Sequence, residues 1–360
     1  MRRAIRLLID AAPPAACVNA IATAVPGRDI HQAFVDWAEP RLPPRERKLF
    51  RRMVERSDIA HRWSVHARSP VGAGGFYENG AQPTTSSRMQ LYAEAAPALA
   101  LDAISRLDFD PATISHLIVA SCTGFVAPGV DQIIAARIGL SPSVERLLIG
   151  FMGCYAAVTA LRSARHIVRS DRRARVLVVT VELSTLHLAA EDRIEPLLAM
   201  LQFGDGASAA LVSADPRGFV LGDGFAQTLP DSAQLIGWTI GDQGFLMHLS
   251  GEVPGRIGAA LGDPDMRAAL TGGTGVETVA HWAVHAGGRS ILDAVEHGLG
   301  LAPHSLEDSR AVLRACGNMS SATLMFVLAR MLEHGITGPG VALAFGPGLA
   351  AEGLRFGPVA

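Results

Sequence analysis

The sequence predicts an α/β protein made of two related halves, and three observations carry that prediction. Short apolar strands alternate with segments of helical period along most of the 360 residues. The order of these units in the first half returns in the second. The copies also agree in spacing: Cys122 to Cys154 is 32 residues, His285 to Asn318 is 33, and Cys154 and Asn318 lie 164 apart. Alternation of strand and helix implies βαβ units and a largely parallel sheet. Duplication implies two α/β halves about a pseudo-twofold axis, with equivalent positions facing a common cleft.

The elements follow in order. Met1-Arg2-Arg3 and the apolar run to Leu8 mimic a secretory leader, but Asp10 and Pro13-Pro14 cut it short, and a first strand is expected near Ala16–Ala22. His116 to Gly124 reads as a strand ending in small residues, followed by a helix over Val130–Ile138. The apolar stretch Arg146–Gly150 leads into Phe151-Met152-Gly153-Cys154, then a helix over Ala156–Ser170 and a buried strand over Val176–Val181. Gly204-Asp205-Gly206 reads as a tight turn, before a strand at Ser208–Ser213. The boundary between halves falls near Asp215-Pro216-Arg217-Gly218, giving domains 1–215 and 216–360. The second half repeats the series: strand His281–Gly288, helix Ser290–Gly298, glycine-led helix start Gly317-Asn318, strand Gly340–Phe345.

Composition narrows the function. A formal net charge of −2 offers no bulk attraction to nucleic acid. Four scattered cysteines form neither a CxxC pair nor a disulfide framework, which fits a reduced, cytoplasmic setting. No apolar run is long enough for a membrane span. His187, His248 and His281 lack metal-ligand spacing, so no metal is expected. One lysine, Lys48, against 31 arginines points to a GC-rich bacterial genome.

A cysteine in apolar surroundings is more often inert core than nucleophile. At the start of a helix, however, unsatisfied N–H groups and the dipole favour the thiolate. The repeat brings Cys154, His285 and Asn318 together. A thiol, an imidazole and a carboxamide suit acyl transfer, with the cysteine carrying the acyl group and the other two steadying an oxyanion.

Several separated motifs, in order, resemble the type III polyketide synthases (chalcone synthase-like enzymes) of the thiolase superfamily. They are Gly153-Cys154, Gln202-Phe203-Gly204-Asp205-Gly206-Ala207, Trp282 to Asp293, Gly317-Asn318-Met319-Ser320-Ser321-Ala322 and Phe345-Gly346-Pro347-Gly348. The resemblance implies a thiolase-like fold, two halves in a layered αβαβα arrangement. It implies a catalytic triad of Cys154, His285 and Asn318, with His285 holding Cys154 as thiolate. Gatekeeper positions fall on Phe203 and Met247, and cavity positions on Cys122, Ser184, His187 and Ala127. Gly346, Pro347 and Gly348 shape the cavity wall. Ser320 either lines the cavity or caps its helix.

Lys48, Arg52 and Arg56 share one helix face. By charge alone they read as a solvated surface; the resemblance makes them contacts for the phosphates of coenzyme A. No cofactor is implied beyond CoA thioesters. The expected partners are acyl-CoA and malonyl-CoA, an acyl carrier protein as alternative donor, and a second copy of the chain in a homodimer. The expected reaction is repeated decarboxylative condensation with malonyl-CoA, then cyclisation to a pyrone or phenol. Small residues at Ala127 and Ser184 favour a medium or long fatty acyl starter, while His187 adds polarity against it. The alternative is a single-condensation or chain-joining β-ketoacyl synthase fed by carrier-bound substrates. A cysteine hydrolase and a non-catalytic subunit are weaker readings.

Overall fold

The computed structural model describes residues 13–78 and 82–359; the leader-like Met1–Leu8 lies outside them. In chain order the strands are β1 (Ala16–Ala24), β2 (Arg28–Asp29), β3 (Trp63–Ser64), β4 (His116–Ser121), β5 (Glu145–Gly150), β6 (Val176–Leu183) and β7 (Asp205–Ser213). The second half adds β8 (Phe219–Thr228), β9 (Ile236–Gly241), β10 (Gly244–Leu249), β11 (His281–Val284), β12 (Gly340–Gly346) and β13 (Ala350–Pro358). Nine of them run in the order β11-β12-β13-β8-β1-β7-β6-β4-β5. β4 pairs parallel with β6 and β6 antiparallel with β7; β11 pairs parallel with β12 and β12 antiparallel with β13. The repeat thus holds in strand direction as well as order. The halves join where Ala16–Val18 of β1 meet Phe219–Leu221 of β8, antiparallel.

Period-2 alternation decides which side each strand residue faces. Ile118, Ala120, Val176 and Val178 face the helices Ala156–Ser170 and Ser321–His334, together with Ala283, Ala342 and Ala344 from the other half. Leu117, Val119, Leu177 and Val179 face outward onto helix Thr85–Ile104 and helix Val130–Arg137. Trp282, Val284, Val341 and Leu343 do the same against helices Val253–Gly262 and Arg289–Leu299. The result is five layers with two helices in the middle. The Ser321–His334 helix has ten of its fourteen residues buried, so it is a core rod rather than an amphipathic surface helix.

One expectation changes. Gly204-Asp205-Gly206 is no turn but the entry of β7. Its glycines serve close packing: a Cβ on Gly206 would stand 2.4 Å from Met319 Sδ. The apolar stretch Arg146–Gly150 is the edge strand β5, and its Leu147 and Leu148 are exposed. Because the middle layer packs on strands of both halves, Leu324→Ala in its core should cost about 2–5 kcal/mol, read as a lower denaturation midpoint.

Candidate active site

Both glycines that precede the two site residues are left-handed: Gly153 at φ 71° and Gly317 at φ 66°. A side chain at either would also collide, with Pro347 Cδ at 2.5 Å and with Gln202 O at 2.7 Å respectively. Each kink turns the chain from a strand or helix end into a middle-layer helix. Cys154 lies in a short 3₁₀ turn, Gly153–Tyr155, ahead of helix Ala156–Ser170. Asn318 is pinned by its backbone, donating to Gln202 O at 2.8 Å and accepting from Gly204 N at 3.0 Å.

The two chains of contact meet at one sulfur. Cys154 Sγ donates to Ser320 Oγ at 3.8 Å. Ser320 Oγ lies 3.2 Å from Cys122 Sγ, which donates to Glu182 at 3.3 Å and 3.4 Å. Read with Ser320 as donor to Cys122, these contacts form one directed chain from Cys154 to Glu182. That carboxylate is fully buried and also accepts from Cys122 N, Thr123 Oγ1 and Ser321 Oγ. Ser320 makes no capping bond to its helix, so of its two expected roles it takes the cavity one. Its φ of 48° shows that the backbone is bent to place it there. Asn318 Oδ1 accepts from Ser320 N at 2.8 Å, and Asn318 Nδ2 donates to Gly287 O at 3.2 Å. The second amide therefore ties the Cys154 neighbourhood to the loop that follows His285. His285 is buried at 2% exposure, and among the described residues neither ring nitrogen has a hydrogen-bond partner.

The electrostatics overturn one expectation. Burial, reinforced by the Glu182 charge, pushes the Cys154 thiol up to about 12, against smaller opposing hydrogen bonds from Ser320 and Asn318. Burial alone pulls His285 down to about 3. The resting pair is neutral thiol and neutral imidazole, with no hydrogen bond between them, rather than thiolate and imidazolium. Desolvation outweighs the opposing hydrogen bonds from Ser320 and Asn318.

The cavity holds about 240 Å³ and is lined by Cys122, Cys154, Ser184, His187, Phe203, Met247, Ser320 and Pro347, as expected. Gly346 and Gly348 flank Pro347 but are not on the wall. Gly346 is instead needed where a Cβ would meet Tyr155 at 2.6 Å. Ala127 is exposed on the loop before Pro128 and does not line this cavity. Lys48, Arg52 and Arg56 are exposed on helix Pro44–Arg56, also off the wall. His187 adds little polarity: its Nε2 donates to Thr123 O at 2.6 Å and its Nδ1 accepts from Phe245 N at 3.1 Å. The ring stacks on Phe245 at 4.1 Å and presents an aromatic face. Trp238 and Glu182 escaped the sequence reading. A lone carboxylate ending the apolar strand Val176–Leu183 was the available signal for Glu182; Trp238 left none. Among the described residues no cluster of three potential metal ligands exists.

The family models for chalcone and stilbene synthases match this architecture in both halves, the N-terminal domain over residues 8–216 and the C-terminal domain over residues 222–359. The chain belongs to the type III polyketide synthases, the chalcone and stilbene synthase family. Polyketide synthases of this family are condensing acyltransferases with a thiolase-like fold. The chain is 33% identical to the "Alpha-pyrone synthesis polyketide synthase-like Pks18" of Mycobacterium tuberculosis, over 96% of this chain and 92% of that one. It is 33% identical to the bisdemethoxycurcumin synthase of Oryza sativa subsp. japonica, over 85% and 82%. Among solved structures it resembles PKS-I of the brown alga Ectocarpus siliculosus, with TM-score 0.88 and 28% identity over 97% of this chain and 100% of that one. The C-terminal type III domain of Steely1 from Dictyostelium aligns at TM-score 0.86 and 26% identity, over 96% and 100%.

For this synthase, the raised thiol has a direct readout. Alkylation of Cys154 by iodoacetamide, followed by peptide mass spectrometry, should climb with pH through about pH 9 without levelling. A plateau between about pH 6 and 7, as an activated thiolate would show, contradicts the neutral resting pair.

Proposed function

We propose that this polyketide synthase loads an acyl starter from CoA onto Cys154 and extends it with malonyl-CoA. The observation that carries this is a nucleophilic sulfur in an apolar cavity with Asn318 against it and a buried, unpartnered imidazole, His285, on the adjoining loop. A buried polar group without a partner costs about 1–3 kcal/mol. Such a group is retained where a reacting atom supplies the missing bond.

As Cys154 attacks the starter thioester, its proton passes to His285 and CoA leaves as thiol. Both shifted groups make that transfer uphill at rest, so it is coupled to the attack itself. Malonyl-CoA then loses CO₂, and the electron pair of the broken C–C bond becomes an enolate on the thioester oxygen. His285 and the free N–H of Asn318 are the donors to that oxygen. The carbanion attacks the acyl carbonyl, a C–C bond forms, the Cys154 C–S bond breaks, and the product is a β-ketoacyl-CoA two carbons longer. Repetition and ring closure by an enol oxygen on the thioester release a pyrone.

A starter of modest length fits best. Trp238, Phe245, Leu246 and Met247 fill wall positions, so the small Ser184 does not open depth. This narrows the medium-to-long fatty acyl expectation to its short end. Arg52 and Arg56 are proposed to meet the phosphates of CoA, aided by Lys48; all three are exposed cations without a carboxylate partner among the described residues.

Edge strand β5 presents Leu147 and Leu148 beside Phe125 and Phe151, each 42–48% exposed. We read this apolar face as the homodimer contact. Leu148→Arg should shift the chain toward monomer in light scattering; an unchanged mass removes this reading. Cys154→Ala should abolish acyl-enzyme formation, seen as the loss of the acyl adduct by intact mass. Asn318→Ala should slow malonyl-CoA decarboxylation by about 100- to 1000-fold with loading less affected. Acyl adduct persisting on Cys154→Ala would retire the assignment.

A further inference from the structure

Arg62 lies behind the site, and the reaction above leaves it unused. Its side chain is fully buried. Burial pulls it down to about 9, with the Asp29 and Asp205 charges opposing, so it stays a cation at neutral pH. What that cation holds is backbone and one imidazole. Nη1 donates to Met200 O at 2.8 Å and to Phe203 O at 3.0 Å, and Nε donates to His31 Nδ1 at 3.1 Å. The guanidinium carbon stands 4.6 Å from the centre of the Phe34 ring. Nη2 has no partner among the described residues. Met200 ends helix Ile194–Met200, where carbonyls are unsatisfied and the dipole is negative. One nitrogen thus ties the helix end to Phe203.

Phe203 is the middle residue of three, and the outer two hold Asn318: Gln202 through its carbonyl, Gly204 through its N–H. Phe203 and Asn318 themselves form an isolated parallel bridge. Arg62 also packs on the approach to Asn318, since a Cβ at Gly317 would stand 3.0 Å from Arg62 Cγ. Its chain neighbours brace that same approach. Ala60 N and His61 N donate to Arg314 O at 2.8 Å and 3.2 Å, and Trp63 Nε1 donates to Ala315 O at 2.9 Å. Cys154 sits apart in the Gly153–Tyr155 turn, to which none of these bonds runs.

An apolar side chain of similar volume would fill this space without the desolvation cost of a charge. The charge lies instead along carbonyls that present one wall residue of the cavity and one reacting amide. We infer that Arg62 is a positioning residue for the malonyl step: it fixes Phe203 and, through Gln202 and Gly204, the carboxamide of Asn318. This rests on the synthase reading above, in which Asn318 donates to the enolate oxygen. A misplacement of about 1 Å at such a group costs about 100-fold in rate, even when its source is far from the chemistry. The sulfur of Cys154 does not depend on Arg62, so the two should separate in experiment.

The test measures carbon dioxide release from carboxyl-labelled malonyl-CoA, with iodoacetamide alkylation of Cys154 on the same preparations. Arg62→Lys keeps the charge but offers one ammonium in place of a planar fork. Its kcat for release should fall about ten-fold or more, with KM for malonyl-CoA within about three-fold and the alkylation rate within about two-fold. Partial unfolding would expose the sulfur and raise the alkylation rate, which tells a loosened fold from a misplaced amide. His31→Leu removes the acceptor of Nε and should give a smaller loss of the same kind. His31→Gln, whose carbonyl can accept that bond, should restore release. If Arg62→Lys does not fold by circular dichroism, the two His31 variants decide by the same criterion. Unchanged release in Arg62→Lys, or matching changes in release and alkylation, overturns the proposal and leaves the synthase reading intact. So does wild-type release by His31→Leu where Arg62→Lys does not fold. A wild-type chain that releases no carbon dioxide from malonyl-CoA strikes the synthase reading itself, and this proposal with it.

Discussion

Two buried helices sharing one interlayer must begin at the same place, and the rest of this molecule is arranged around that constraint. Helices Ala156–Ser170 and Ser321–His334 are each packed between the two halves of the nine-stranded sheet, so neither can slide out to relieve crowding at its start. Their starts carry the sulfur on one side and the carboxamide and Ser320 on the other, in contact at 3.8 Å. The left-handed glycines Gly153 and Gly317 make the entry possible, because a Cβ at either would strike backbone or ring atoms of the opposite half. The strained Ser320, at φ 48°, is the residual cost of bringing two chain entries to one point.

The site lies between the layers, and its protonation follows from where it lies. Interlayer burial raises the thiol and lowers the imidazole together. Burial also raises Glu182, against four donors from Cys122, Thr123 and Ser321 that hold it in place. Preorganised donors in such a setting act strongly on charge that appears only during reaction. His285, with no partner on either nitrogen among the described residues, is the clearest case: a buried polar group left unpaired in the folded state carries a cost.

Much of this was legible beforehand. Apolar runs such as Val176–Val181 and Gly340–Phe345 became strands buried on both faces. The residue offset between Cys154 and Asn318 became a meeting of helix starts. The misreadings have a common physical source. Gly204-Asp205-Gly206 looks like a turn because local rules assign glycine to turns, yet here it makes room for Met319 across the layer. His187 looks polar because it is histidine, yet both nitrogens are consumed by backbone groups.

The sequence by itself determined the family and the fold and singled out Cys154, His285 and Asn318 as the proposed reacting groups, since strand and helix periods and a duplicated order are local properties that survive without coordinates. Only the tertiary structure decided their protonation, the directed chain through Ser320 and Cys122 to Glu182, and the aromatic shape of the cavity with Trp238 in its wall. Protonation depends on how much water the packed layers exclude, and a cavity wall is assembled from residues distant in the chain. Neither quantity is written in the spacing of any one segment.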